Sequence, residues 1–135
     1  MKDIYNSVLV KESLAIAART ASADGTAVDR NEDGLMYQGA LIVVHTGAIT
    51  DGTHTIEVQH SDASGSGFAA VADADLQGTE PAIGSSDDNK VYEVGYRGTK
   101  RYLRVSVTAA GTTTGGVYGA TVVLADPRVL PVVRN

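Results

Sequence analysis

The sequence lacks cysteine and tryptophan, and its 135 residues include one phenylalanine, three prolines and three histidines. Without cysteine, neither a disulfide nor a thiolate metal site can hold the fold together. No run of 18 or more apolar residues occurs, and the first residues lack the long apolar segment of a signal peptide. We therefore expect a protein that is made in the cytoplasm and has no membrane partner.

A surplus of positive charge is also missing. Eleven Lys and Arg residues stand against sixteen Asp and Glu residues, so the net charge is −5 at pH 7. Nucleic-acid-binding proteins usually carry the opposite balance, and no nucleic-acid partner is expected. The length and a hydrophobic content of 43% are those of one domain that can bury a real core.

Side chains alternate with a period of two, which is typical of strands. The strongest strand candidates are residues 40–46, 53–61, 90–96, 101–109 and 117–125, and the weaker ones are 13–18, 26–29 and 68–71. Residues 40–46 are apolar at both alternations, which predicts a central strand covered on both faces. Residues 45–55 predict a longer loop or a hairpin, and residues 72–84 have room for one short helical turn.

Clusters of glycine, aspartate, serine and asparagine separate these strands, as turns require. The pattern predicts an all-β fold, an antiparallel β-sandwich or jelly-roll-like barrel of about six to eight strands with extended terminal arms. We expect an N-terminal arm over residues 1–12, the sandwich domain over 13–126 and a C-terminal arm over 127–135.

The C-terminal arm carries two prolines and four branched apolar side chains that are costly to leave in water. These side chains are Val129, Leu130, Val132 and Val133. Two interpretations stay open. The arm either packs back on its own sandwich or grips a neighbouring subunit.

The strand that follows Gly98 has two different faces. Leu103, Val105 and Val107 alternate with positions that mix cations, a phenol and hydroxyls, of which Lys100, Tyr102 and Arg104 are the candidates for a protein interface. Arginine and tyrosine are enriched at protein contacts, yet an ordinary solvated face has the same pattern. Both interpretations remain.

Two motifs that suggest chemistry fail on their context. Residues 29–34 have the opening of an EF-hand calcium loop, but the twelfth position is Ala40 instead of a bidentate glutamate. Residues 65–70 resemble a loose dinucleotide-binding fingerprint, but no helix follows to present its dipole. An acidic turn and a hairpin tip are the better interpretations.

The histidines do not predict a metal site either, because two of them lie six residues apart on one strand, at about 20 Å. They are His45, His54 and His60. No nucleophile with a matching base and orienting group stands out. We expect no enzyme activity, no metal and no cofactor.

Three segments together carry a resemblance to a known family: residues 19–29, 39–71 and 91–128. They resemble small structural proteins of tailed bacteriophages, the head decoration or cement proteins, over roughly residues 14–131. The most specific parts are G-x-I-T-D-G-T-H-T at 47–55 and G-Y-x-G-x-K-R-Y-L-R-V at 95–105. The chain departs from the family in its longer turn at 61–68.

The resemblance implies a virion structural protein, made in the host cytoplasm, that binds and stabilises the assembled phage head at the capsid surface. Its partners are then the major capsid protein and copies of itself, with a homotrimer expected. No catalytic residue comes with the family. The alternatives are a phage tail or adhesin component, and a carbohydrate-binding β-sandwich module whose aromatic candidates are Tyr92, Tyr96, Tyr102 and Tyr118.

Overall fold

The computed structural model describes residues 3–134 and is built from two antiparallel sheets that pack as a sandwich. Six strands are long: β1 (Val8–Arg19), β4 (Gly39–Ile49), β5 (Thr53–Ser61), β9 (Val91–Tyr96), β10 (Tyr102–Ala110) and β11 (Gly116–Ala125). Five have two residues each: β2 (Ala23–Asp24), β3 (Val28–Asp29), β6 (Ala69–Ala70), β7 (Leu76–Gln77) and β8 (Ala82–Ile83). The predicted all-β sandwich is confirmed.

The number of strands exceeds the predicted six to eight because a two-residue strand has no alternation to detect. Strand β2 lies in a segment whose composition indicates a turn, and β7 and β8 lie in the segment 72–84, where one short helical turn was expected. Two short 3-10 turns complete the secondary structure, at Glu32–Gly34 and Asp73–Asp75, and the second lies in the segment expected to hold a helical turn.

The first sheet has the strand order β1-β11-β4-β9-β7. The second has the order β2-β10-β5-β6, with β3 paired to β10 and β8 paired to β5. Strands β4 and β5 therefore lie in different sheets, and residues 50–52 cross between the layers rather than closing a hairpin as one alternative expected. Across the layers, side chains of β5 reach β11 and β9 of the first sheet.

Strand β4 is central in its sheet but is covered on one face only, contrary to the prediction. Ile42 and Val44 are fully buried, whereas Leu41 and Val43 are half-buried and His45 is exposed on the outer side. A two-layer sandwich leaves the outer face of each sheet without a covering layer.

The N-terminal arm is shorter than the predicted 1–12. Strand β1 begins at Val8, and Val8 to Glu12 pair with Ala125 to Thr121 of β11. The sheet therefore extends five residues beyond the expected domain boundary, because Val8, Leu9 and Val10 continue the strand.

The core lies between the sheets and consists mainly of aliphatic side chains of the long strands. Three tyrosines also belong to it: Tyr37, Tyr96 and Tyr118. Ser13 joins the two sheets: its hydroxyl donates to the carbonyl of Thr26 at 2.9 Å and accepts from the amide of Val105 at 2.9 Å. Over residues 3–134, no helix has the length and apolarity that a membrane crossing demands.

Candidate interaction surfaces

Two histidines point into the sandwich and bond to tyrosines of the opposite sheet. His54 Nδ1 lies 2.8 Å from the Tyr118 hydroxyl, and His60 Nδ1 lies 2.9 Å from the Tyr96 hydroxyl. His54 Nε2 lies 3.2 Å from the carbonyl oxygen of Asp51, which can only accept, so Nε2 is the donor in this bond. In the neutral imidazole with this tautomer, Nδ1 accepts from the Tyr118 hydroxyl. Burial raises the pKa of Tyr118 to about 12.

The acidic turn at 29–34 is held at Asp29 by a cationic side chain of the same chain. Asp29 receives two hydrogen bonds from Arg101, at 2.8 and 2.9 Å, and one from the amide of Asn31. The hydrogen bond from Arg101 lowers the pKa of Asp29 and raises that of Arg101. Within residues 3–134, no three His, Asp or Glu side chains are grouped closely enough to hold a metal ion.

Lys100, Tyr102 and Arg104 lie at the outer face of the second sheet, and each has a partner within the chain. Lys100 Nζ is 2.7 Å from an oxygen of Asp62. The Arg101 guanidinium lies 5.0 Å from the centre of the Tyr102 ring. These pairings are those of an ordinary solvated surface, because each side chain already has a partner in the chain. A protein contact at Lys100, Tyr102 and Arg104 stays a prediction.

Arg104 has the most partners of the three. Its Nε donates to Gln59 at 2.7 Å, its Nη2 lies 3.6 Å from Asp24, and its guanidinium lies 4.3 Å from the centre of the Phe68 ring. A change at Arg104 therefore alters the packing of the second sheet as well as its charge.

The two terminal segments meet and expose large apolar side chains. The terminal patch consists of Ile4, Tyr5, Val129, Leu130 and Val133. These side chains are between 43% and 65% exposed, which is unusual for large apolar groups that lie close together. Ile4, Tyr5 and Val133 line a groove of about 550 Å³, and Leu130 lines a neighbouring groove of about 290 Å³ that shares Val8 with the first.

Val132 is an exception among the predicted interface residues. It is 7% exposed and packs in the core, and its amide donates to the carbonyl of Asn6 at 3.0 Å. The tail is also held by a bond from the Arg128 amide to the Leu35 carbonyl at 2.8 Å. Val132 cannot form a contact surface, because the tail packs back on its own domain at this point.

The outer face of the first sheet is apolar. Facing pairs in the ladders place Val10 beside Val123 and Val123 beside Leu41 in one row. We define the apolar sheet face as Val10, Ile16, Leu41, Val43, Val91 and Val123. Its three marginal members, Val10, Ile16 and Val91, are 55–68% exposed.

No family model matches the chain, and no curated protein matches its sequence significantly. Among solved structures, the crystal structure of PirA is similar to it at 11% identity and a TM-score of 0.37, over 93% of this chain and 97% of that chain. The C-terminal family 22 carbohydrate-binding module of Clostridium thermocellum Xyn10B is similar at 13% identity and a TM-score of 0.40, over 92% and 89%. Likeness at this level carries no inference about a ligand.

Sequence reasoning missed part of both apolar surfaces. Ile16 and Val91 lie at the margins of the first sheet, and their outward direction depends on which strands neighbour them. Ile4 and Tyr5 precede the first strand and have no alternation to orient them. One feature of the sequence could have indicated the apolar outer face. Strand β4 is apolar at both alternations, and without a long helix to cover the sheet, one of its apolar faces must point outward.

Proposed function

We propose that this chain is a non-catalytic virion structural protein, a decoration or cement protein that binds the assembled head of a tailed bacteriophage. The observation that carries the proposal is the terminal patch, an exposed apolar surface that the two ends of the chain form together. The resemblance at residues 47–55 and 95–105 supports the choice of a phage head. The partner is the major capsid protein, and the place of action is the capsid surface.

The terminal patch suits this role energetically. Each aliphatic side chain gains about 1.5–3 kcal/mol when it is fully buried, so the patch can contribute several such increments to docking. Docking that requires neighbouring capsid subunits stabilises only the assembled shell, because binding is linked to that state alone. A cement protein needs this linkage and needs no catalytic group.

The decisive experiment uses heads purified from virions produced without this chain. Purified chain is expected to co-sediment with these heads and not with unassembled capsid protein, and to raise the temperature at which the heads release DNA. Leu130→Glu is expected to weaken binding by at least about tenfold, since it places a charge in an apolar contact. Thr55→Glu, an exposed change on the second sheet, is the matched control and is expected to bind normally.

Equal binding to heads and to free capsid protein would contradict a cement role. Separation of heads from tails tests the tail or adhesin alternative directly, because the chain then fractionates with tails.

A carbohydrate-binding module is the second candidate, favoured by the half-exposed Tyr102 ring beside Arg104 and Gln59 on one sheet face. Sugar sites combine an aromatic platform with polar groups of this kind. Binding to a glycan array that is lost in Tyr102→Ala would support this candidate, and an array without signal would remove it.

A further inference from the structure

The outer faces of the two sheets differ in chemistry. The second sheet presents Thr55, Glu57, Gln59, Arg104 and Ser106, which are polar and largely bonded to one another or to Asp24. On the first sheet, the corresponding outer surface is the apolar sheet face. A solvated sheet face is expected to be polar, so the first sheet has a surface suited to burial.

We infer that the apolar sheet face is the contact between two copies of this chain, packed face to face. The inference does not depend on the proposed virion function. The area of the face favours a second copy as the occupant, and the positions of its acidic side chains are compatible with one.

The area is sufficient for a dimer. Four strands at a spacing of about 4.8 Å, each contributing about eight residues, span a face of about 500 Å². Two copies would bury about 1,000 Å² before the relief of the side chains is counted, which reaches the lower limit of specific protein interfaces.

The relief of the face is uneven around Ile16, which protrudes and is 68% exposed. A register shift in β1 carries Ile16 over Gly119, where its side chain takes the space that a Cβ on Gly119 would need. A hollow of about 170 Å³ lies beside Ile16, and Glu12 and His45 are among the residues that line it. A face-to-face contact removes the protruding Ile16 side chain from water.

The acidic side chains of the face lie in one row, and His45 lies in another. Glu12 and Glu93 stand at its two margins with Thr121 and Val43 between them, about 14 Å apart at the spacing of strands. In a dimer they lie at the rim, where solvent and salt screen their repulsion. Association is therefore expected to hold or strengthen as ionic strength rises.

The sheet edges offer a poorer contact than the face. The free edge of β1 is interrupted by register shifts between Glu12 and Leu14 and between Leu14 and Ala17, and β7 at the other edge has two residues. Bulges and short strands are common means of preventing edge pairing. Association through the face is consequently favoured over a continuous sheet across two copies.

The test is sedimentation and light scattering of the full chain over a wide concentration range. The wild type is expected to reach twice the monomer mass of 14.0 kDa. Ile16→Glu is expected to raise the dissociation constant at least about tenfold, because it places a charge on the apolar sheet face that the contact buries. Val129→Glu makes the same chemical change at 63% exposure in the terminal patch and is expected to leave the dimer intact.

Thermal melting of both variants checks that each remains folded. The proposal is overturned if the wild type stays monomeric or has the mass of the trimer expected from the sequence. It is also overturned if Val129→Glu dissociates the dimer, or if Ile16→Glu does not.

A second measurement exploits the absence of cysteine. Single spin labels at Glu93→Cys, on the rim of the face, are expected to be closer to their counterparts in the partner than labels at Thr55→Cys. The reason is that the second sheet lies about 10 Å further from the contact on each side. The opposite order of distances would place the contact on the other sheet and refute the inference.

Discussion

Two buried tyrosine hydroxyls permit a sharp test of how the core is stabilised. Tyr118 and Tyr37 are both fully buried, but the Tyr118 hydroxyl bonds to His54, whereas the Tyr37 hydroxyl has no protein partner within residues 3–134. The substitution to phenylalanine removes one oxygen atom in each case. The two variants therefore differ in hydrogen bonding and not in the type of change.

Tyr118→Phe leaves His54 Nδ1 buried without a donor, which costs about 1–3 kcal/mol of unfolding free energy. With an unfolding entropy of about 2.1 cal/mol/K per residue, the melting temperature is expected to fall by about 4–10 °C. Tyr37→Phe removes an unpartnered polar group from the core and is expected to leave the melting temperature unchanged or raise it. Calorimetry of both variants at pH 7 measures the contrast.

The pH dependence supplies an independent check on Tyr118. Its folded pKa of about 12 exceeds the unfolded value near 10, so the stability that it contributes is complete below about pH 10 and is lost as pH rises towards 12. The free energy of unfolding of Tyr118→Phe is expected to fall less steeply than that of the wild type between about pH 10 and pH 12. Equal melting temperatures for the two phenylalanine variants would refute the reasoning, because the inter-sheet bond would then contribute nothing.

Three further predictions follow from single positions. Gly115→Ala and Gly34→Ala both place alanine at positive φ, which costs about 1–2 kcal/mol of unfolding free energy. At Gly115 the new Cβ would also overlap the carbonyl of Arg19, whereas at Gly34 it would meet open space. Thermal melts should therefore show the larger fall in melting temperature for Gly115→Ala, and equal falls would contradict the clash. Burial raises the pKa of Glu80, so the stability that the protonated side chain contributes is complete below the unfolded pKa and is lost as pH rises through the folded pKa. Glu80→Gln should therefore melt at a higher temperature than the wild type at pH 7 and at no higher temperature at pH 4, and a lower melting temperature at pH 7 would refute this. Hydrogen bonds from backbone amides, above all that of Gly115, lower the pKa of Asp51. Asp51→Asn should therefore melt at a lower temperature than the wild type at pH 7, and the difference in melting temperature should close as pH falls below about 4. A difference that does not change with pH would show that the negative charge of Asp51 contributes nothing.

Alternation alone was enough to predict the inward faces of the long strands. In β5 it places His54, Ile56 and Val58 on one side, and the structure buries all three. In β10 it places Leu103 and Val107 inward, and both are buried. The period of two is a local property, so it survives without knowledge of the partner strands.

The pairing of strands could not be predicted in the same way, because the alternation of a strand is the same in either sheet. The connection after Ile49 therefore resembled a hairpin although it crosses between layers. The apolar sheet face depends on that pairing, since Ile16, Val123 and Val91 come from three strands far apart in the chain. The burial of Val132 depends on its contact with the N-terminal segment, which no local pattern encodes.

The ladder between β1 and β11 brings Val8 directly opposite Ala125. A short linker from residue 7 to residue 126 would therefore close the strand path into a ring, and new ends could be opened in the tip at 62–68, where Gly65 has open space around it. Such a permutant keeps both layers of the sandwich and omits the two apolar tails. Its melting temperature would measure how much the terminal segments, including the buried Val132, contribute to the stability of the sandwich.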